Sequence, residues 1–237
     1  MSMKIMTLNL WCSIREKERP ARTIAFLQKE SPDILGTQET HEPWRALLAP
    51  LMDTYEIVGH GRNEDRGGEG APILYKKDLF ELLEHDTKWL SPTPDVFSRY
   101  EDMAYYRVYT WALLKRKSDG KVFRFFNTHI DGRRQVEQIA QILKFFEEHK
   151  DYPIIFTGDF NMLPGSVPQQ MIVDADMTDL GRVYMPKQVT TYDSWLFDYI
   201  YLQNDCFTSS HYNVHVMARE DMISDHFAVS AQCEFKD

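Results

Sequence analysis

Apolar and polar positions along the chain fall into two periods. Short runs rich in β-branched and aromatic residues, at 5–10, 34–36, 55–58, 73–75, 106–114, 122–127, 154–157, 199–202 and 227–231, have the length and composition of strands. The runs at 113–117 and 121–126 flank Ser118-Asp119-Gly120, a turn sequence that predicts a β-hairpin. Helical patterns lie between the strands. Val136, Ile139, Ala140, Leu143 and Phe146 mark one face of a helix over 133–149. Ile24 and Leu27 belong to another helix, which Ser31-Pro32 closes. Helices interleave with strands, yet at least one connection is a plain hairpin, so the strands are mixed in direction. The pattern predicts an α/β (α+β) fold with a two-sheet core of mixed strands flanked by helices. No repeat, low-complexity tract or Pro/Ser-rich linker divides it, and residues 1–237 read as one domain. The glycine-rich, charged stretch 61–70 reads as the most mobile loop.

Composition narrows the class. A chain of 237 residues buries roughly 70–75% of its unfolded surface and needs no disulfide or metal staple. With 43% hydrophobic and 27% charged residues it is an ordinary globular composition, which excludes disordered and collagen-like chains. The net charge of −9 gives no global reason to bind a polyanion and disfavours an extended grip on duplex nucleic acid. Cys12, Cys206 and Cys233 are widely separated and have no metal-like spacing, so they read as buried thiols of a reducing compartment. The opening MSMKIMTLNLW lacks the pattern of a signal peptide, and no apolar run approaches the ~18 residues of a membrane span. A cytoplasmic, monomeric protein is the expectation.

The common catalytic motifs are missing. The sequence contains no GxxxxGK[ST] phosphate loop, GxSxG elbow, HExxH or paired CxxC. Polar residues instead gather at strand ends. Asn9, Glu39, His129, Asp159 and Asn161 follow strand-like runs, whereas Asp198 and Asp225-His226 precede them. In a mixed sheet, the exits of some strands share a rim with the entrances of their antiparallel neighbours. All these residues can therefore face one cleft. Several carboxylates on one rim repel one another unless a hard cation neutralises them, and oxygen donors of this type suit Mg²⁺ or Mn²⁺. Such a cation polarises a phosphoryl oxygen, while a carboxylate orients water and a histidine handles protons.

The strings TLNLW, QET, NTHID, GDFN, FDYI and SDHF occur in that order between residues 3 and 232. Together they resemble the signature set of the endonuclease/exonuclease/phosphatase superfamily. That superfamily includes deoxyribonuclease I, apurinic endonucleases, neutral sphingomyelinases, deadenylases and inositol polyphosphate 5-phosphatases. The resemblance implies a deoxyribonuclease I-like two-sheet β-sandwich and a Mg²⁺- or Mn²⁺-dependent phosphoric ester hydrolase. By the same resemblance Glu39 is the principal metal ligand, with Asn9 and Asp225 around the same cation. Asp159 orients or deprotonates the attacking water, and Asn161 holds a phosphate oxygen. His226 binds the scissile phosphate with its ring fixed by Asp198. His129 matches a histidine that assists leaving-group departure in deoxyribonuclease-like members, where a glutamate supports it; Glu69 stands in a similar place. Two carboxylate–histidine pairs, Glu69–His129 and Asp198–His226, would then flank one phosphate. Arg134, at the start of the helix over 133–149, is a lesser candidate for phosphate contact. One departure stands out: members often carry Arg-Ile before the aspartate of FDYI, and here Trp195-Leu196-Phe197 precede Asp198. This affects a local basic contact to substrate and not the carboxylate.

Each residue also has a structural reading. Asn9, Asn161 and Asp159 suit turns, Glu39 suits the N-terminus of a helix near His41, and a lone His129 suits a hydrogen-bonded core. Their joint occurrence in one order favours chemistry. His211 and His215 read as surface residues, and Lys115-Arg116-Lys117 as a solvated hairpin tip. The aromatic loop 97–106, with Phe97 and Tyr100, offers a stacking surface for a base, sugar or acyl group. The substrate classes left open are nucleic acid, a small phosphorylated metabolite and a lipid headgroup, with the acidic charge favouring a compact one. The competing class is a catalytically silent binding module that keeps the fold.

Overall fold

Strand-length runs of alternating or continuous apolar residues can bury themselves only by pairing edge to edge and stacking face to face. The computed structural model, which describes residues 1–185 and 190–236, shows two six-stranded sheets formed in this way. The first contains β1 (Met3–Asn9), β2 (Ile34–Gln38), β3 (Tyr55–Val58), β4 (Ile73–Lys76), β11 (Phe207–Val214) and β12 (Val229–Phe235). The second contains β5 (Phe80–Trp89), β6 (Val108–Arg116), β7 (Val122–His129), β8 (Ile154–Asp159), β9 (Met177–Asp179) and β10 (Asp198–Gln203). Their orders are β11-β12-β1-β2-β4-β3 and β5-β6-β7-β8-β10-β9. Each sheet is built around one parallel pair, β1 with β2 and β7 with β8, flanked by antiparallel neighbours. The two-sheet fold expected from the sequence is therefore the observed one.

A parallel pair needs a crossover, and each crossover carries a helix. α1 (Arg19–Glu30) links β1 to β2, and α3 (Gln135–Glu148) links β7 to β8. Ile139, Ile142 and Phe146 of α3 pack against Phe126 and Phe156 of the sheet. Leu27 of α1 and Trp44 of α2 (Glu42–Leu47) cover Met6, Leu8 and Leu35. Between the sheets lie Ile5, Ile34, Ile73, Phe123, Phe125 and Ile155, all inaccessible to solvent. Two short helices, α4 (Val167–Asp174) and α5 (Leu180–Tyr184), complete the second layer. Among the described residues, no helix is long and apolar enough to cross a membrane.

Several local expectations change. β5, with sequence FELLEHDTKW, is a strand that its charged positions hide; it is an edge strand with one bulge between Leu82 and Glu84, so only part of it packs. β9 and β11 are likewise edge strands with polar outer positions. The stretch 61–70 is tethered: Gly61, Arg62 and Asn63 donate from their amides to Arg66, Glu69 and Gly67, and Gly70 bridges to Thr40. Arg116 is not part of a solvated tip, because it is buried and paired with Asp119. His211 is exposed as expected, but His215 is half-buried, with Nε2 2.8 Å from Ser230 Oγ and its ring against Phe26. Cys233 is buried, whereas Cys12 and Cys206 are half-buried; all three are free thiols.

Arg19, at the first position of α1, has a role that its charge would not suggest. It is 1% exposed, lies 5.0 Å from the ring centroids of both Trp11 and Trp44, and has no carboxylate partner among the described residues. Its guanidinium donates to the carbonyls of Leu10, Trp11, Ser13 and Ile223. It thereby ties the loop leaving β1 to the segment that leads into β12. Arg19→Met should cost about 2–4 kcal/mol in urea unfolding, since it strands several buried carbonyls. Arg19→Lys should recover only part of that, because an ammonium lacks the planar fork. A loss below about 0.5 kcal/mol would show that water replaces these bonds.

Candidate active site

Strand register assembles half of the site. His129 ends β7, Asp159 ends β8 and Asp198 opens β10, and the three are direct neighbours across the sheet: His129 pairs with Asp159, and Asp159 with Asp198. In the other sheet, β1 ends at Asn9, beside Gln38 at the end of β2, and Glu39 follows. Asp225-His226 lie just ahead of β12, the antiparallel neighbour of β1. The chain must leave the strands sharply here. Glu39 and Asn161 both adopt left-handed backbone conformations (φ 54° and 46°), a local strain of order 1 kcal/mol that often accompanies functional sites.

Asp159 is the hub. Its Oδ2 accepts a hydrogen bond from Asn9 Nδ2 at 2.9 Å and lies 3.4 Å from His129 Nε2 and 3.7 Å from His226 Nε2. Its Oδ1 accepts from the Asn161 amide at 3.0 Å. Behind His226, Asp198 Oδ2 meets Nδ1 at 2.8 Å. Glu39 is held from two sides, Oε2 by the Cys12 amide (2.8 Å) and Oε1 by Asn9 Nδ2 (3.2 Å). Glu39 therefore does not cap α2, whose N-cap is His41. Ser224 completes the arrangement: its hydroxyl donates to Asn9 O at 2.6 Å and accepts from the His226 amide at 3.2 Å.

Burial sets the electrostatics. Burial raises the Asp159 carboxyl to about 6, against the pull of His226 and with added repulsion from Asp198. Burial alone would lower His226, but Asp198, Asp159 and Asp225 outweigh it and hold the imidazolium up to about 10. Burial also raises Asp225, and Glu39 adds to this by like-charge repulsion. Glu39 itself is lowered, because the bonds from Cys12 and Asn9 overcome its burial. The ligand atoms of Asp159, Asp198 and His226 lie within 4.8 Å of one another. They read better as a hydrogen-bonded triad than as a metal cage, since an imidazolium offers no lone pair. Glu39 and Asp225 are the paired carboxylates whose mutual repulsion a hard cation would relieve, while Asn9 turns its Nδ2 to Glu39 and Asp159 and accepts from the Trp11 amide through Oδ1 at 2.9 Å.

His129 departs from expectation. Glu69 lines the same small cavity but makes no hydrogen bond or ion pair with it; that carboxylate pairs with Arg62 at 2.9 Å. The partner of His129 Nδ1 is Arg107, whose guanidinium nitrogen lies 2.9 Å away. A guanidinium only donates, so Nδ1 must carry the lone pair and Nε2 the proton. That Nε2–H faces Asp159 Oδ2, and Asn161 Nδ2, 3.1 Å from Nε2, keeps its bond to Ile130 O. Burial, then Arg107, His226 and Arg62, push the His129 pKa well below the ordinary imidazole value. His129 is thus a neutral hydrogen-bond donor and not one half of a carboxylate–imidazolium pair. In an NMR titration, Arg107→Gln should move the His129 pKa upward, whereas Glu69→Gln should leave it low; the opposite ranking would restore the Glu69–His129 pair.

Arg134 stands apart at the N-cap of α3, with its guanidinium taken by Asp102 at 2.9 Å and Glu137 at 2.7 Å. In the 97–106 loop, Phe97 and Tyr106 stack on each other at 4.1 Å, so their faces are already used. Tyr105 is the exposed ring, lying over Arg62 and Arg107. Sequence reasoning missed Arg107, although it stands at a strand entrance like Asp198. It also missed Thr191, whose hydroxyl accepts from the amides of Phe197 and Asp198.

Two packed mixed sheets with an Asp–His–Asn constellation on their shared rim define a class, and comparison with known proteins agrees. A model of the endonuclease/exonuclease/phosphatase family matches residues 6–226, and the chain belongs to that family. Protein angel of Drosophila melanogaster is 27% identical over 180 residues, 68% of this chain and 49% of that protein. The chain thus spans about half the length of this relative. Among solved structures, an endonuclease/exonuclease/phosphatase from Bacteroides vulgatus is 27% identical with a TM-score of 0.89, covering 100% of both chains. A mannosyl-6-phosphatase from Bacteroides thetaiotaomicron is 26% identical with a TM-score of 0.82, covering 98% of this chain and 100% of that one. The family and fold expected from the six ordered strings are both met.

Proposed function

We propose that the chain is a Mg²⁺- or Mn²⁺-dependent phosphoesterase that cleaves a P–O bond by direct attack of water. The observation that supports this most is the placement of one buried carboxylate, Asp159, between Asn9, His129 and His226. Glu39, Asn9 and Asp225 would hold the cation, which supplies Lewis-acid polarisation of a phosphoryl oxygen. Asp159, ionised above about 6, orients the attacking water and takes its proton. His226, protonated up to about 10, faces the growing negative charge on the phosphoryl oxygens, with its ring fixed by Asp198. Asn161 positions a phosphate oxygen, and the neutral Nε2–H of His129 donates to the departing or bridging oxygen. The serine and cysteine nearest the constellation are not placed as nucleophiles: Ser224 spends its hydroxyl on Asn9 O and the His226 amide, and burial and Glu39 push the Cys12 thiol up to about 12, so a single displacement is the simplest course.

The acidic charge favours a compact substrate, and the similarity to a mannosyl-6-phosphatase makes a small phosphate ester the first class to try. The test is hydrolysis of bis-aryl and mono-aryl phosphates and of hexose phosphates with Mg²⁺, Mn²⁺ or EDTA. Turnover with either cation and none with EDTA is expected, together with calorimetric binding of the metal that Glu39→Gln abolishes. A protein that binds neither cation would instead be a silent binding module. Against that reading stands Asp159 itself, since a buried carboxyl raised to about 6 is an electrostatic cost that binding alone does not require.

A further inference from the structure

Alternate residues of a strand share a face, so each strand that ends at the rim carries a column of side chains down between the sheets. In the first sheet Asn9 pairs with Gln38, Thr7 with Gly36 and Ile5 with Ile34. In the second His129 pairs with Asp159, Asn127 with Thr157 and Phe125 with Ile155. The last pair of each sheet belongs to the apolar core. The layer between core and rim is polar, although Thr7, Gln38, Asn127 and Thr157 are all inaccessible to solvent. The hydrolytic chemistry assigns no role to these four side chains.

Asn127 is the centre of this layer. Its Nδ2 donates across the gap to Thr37 O at 2.8 Å and to Pro72 O at 3.0 Å. Its Oδ1 accepts from Gln38 Nε2 at 2.6 Å and from Thr157 Oγ1 at 3.3 Å. Gln38 Nε2 also reaches Thr7 Oγ1 at 3.0 Å. The Asn127 amide is thereby saturated, and its bonds to Thr37, Pro72 and Gln38 run from the second sheet to the first. Gly36 leaves the room for it: a Cβ there would lie 2.5 Å from Asn127 Oδ1 and 2.7 Å from Thr157 Oγ1.

For stability alone this layer is unnecessary, because replacing both partners of a buried hydrogen bond by apolar groups of the same shape is nearly neutral. What the bonds add is direction. Apolar contact is non-directional, whereas a hydrogen bond weakens steeply as it bends. Direction matters here because the proposed chemistry is divided between the sheets. Glu39 follows β2 and Asp225 precedes β12, both of the first sheet, whereas His129, Asp159 and Asp198 sit on strands of the second. At the rim the halves meet through Asn9–Asp159 at 2.9 Å and His226–Asp198 at 2.8 Å.

We propose that Asn127 and Gln38 are positioning residues that fix the offset of one sheet on the other. They thereby set where Asp159 stands relative to the carboxylates Glu39 and Asp225. The effect on rate rests on the phosphoesterase reading, but the offset itself is tested without turnover.

The experiment compares wild type, Gln38→Met, Asn127→Leu and the double variant on the best phosphate ester with saturating Mn²⁺. The double variant replaces both partners of the Gln38–Asn127 bond by apolar groups of similar volume. It should unfold in urea no earlier than wild type, yet lose about 10- to 100-fold in kcat, as expected when reacting groups are misplaced by up to an ångström. Its Mn²⁺ affinity, read by calorimetry, should stay at the wild-type value, since Glu39 and Asp225 both belong to the first sheet. The two single variants break the same bond, so the double should lose less than the product of their separate losses. A readout independent of turnover is the low-field proton resonance of the His226 Nδ1–H, assigned by its loss in Asp198→Asn. This bond joins the sheets, and its resonance should weaken or vanish in the double variant. If the double variant does not fold, Gln38→Met decides by the same readings, because it leaves Asn127 bonded to both carbonyls. A folded variant with kcat unchanged, or with kcat lowered and the resonance intact, overturns the proposal. If wild type turns over no ester, loss of the resonance still supports the positioning role and only the hydrolase reading falls; an intact resonance overturns the positioning role.

Discussion

Asp159→Asn should leave the fold intact and lower kcat about 10³-fold, within the range for a positioned proton-transfer group. The substitution keeps the volume, and the new amide oxygen can still accept from Asn9 Nδ2, which now bonds Asp159 Oδ2 at 2.9 Å. What it cannot do is take a proton from water. It also removes one of the carboxylates that hold His226 protonated. Two functions are thus lost through one isosteric change, so the effect should exceed that of altering either histidine's neighbours. The measurement is kcat at saturating Mn²⁺ on the best ester, with circular dichroism to confirm folding. A variant that keeps more than a tenth of wild-type kcat would mean that water is activated elsewhere and that the assignment of Asp159 is wrong.

The pH dependence carries the second large effect. Asp159 works ionised, and with its carboxyl at about 6 the free enzyme loses activity as pH falls below that value. A bound divalent cation favours the ionised form, so this acid limb moves lower as metal saturates. His226 works protonated, and it stays so until pH rises through about 10. The wild-type profile of kcat/KM should therefore be level from about 6 to about 10. Asp198→Asn removes the carboxylate that contributes most to holding His226 up, so the basic limb should fall well below 10. At pH 9 the variant should lose an additional factor of about ten relative to its own rate at pH 7, consistent with one group titrating between them. The same substitution should destabilise the fold. A His226 pKa raised above 6.5 stabilises the native state fully below 6.5, and that stabilisation is lost as pH rises through about 10. An unchanged basic limb in Asp198→Asn would show that some other group sets it.

The rim residues were legible because position and chemistry coincide in the sequence. Asn9, Glu39, His129, Asp159 and Asp198 each adjoin a strand-like run, and residues at strand ends reach a common rim in a mixed sheet. β5 and β11 were not legible, since edge strands with one wet face dilute the apolar pattern that reveals central strands. In 61–70, glycines and charges predict irregular backbone but not whether its amides find partners, and here several do.

His129 shows where local sequence stops. Glu69 and Arg107 both precede strands and both were available as its partner. The choice fell to Arg107 because the 61–70 loop folds back on itself, Gly70 bridges to Thr40, and Glu69 is held by Arg62. Reversing that choice changes the charge on the histidine and hence what it can do with a proton.

By itself, the sequence determined the strands of the two central parallel pairs, the helices that cross between them, and which polar residues end those strands. These follow from periodicity and turn chemistry within a few neighbouring residues. Only the tertiary structure decided that Asp159 meets both histidines, that Arg107 displaces Glu69, and that Tyr192 lies over His226. Each of these is a contact between segments distant in the chain, and sheet register, packing of one sheet on the other and closure of loops select it from alternatives of similar local propensity.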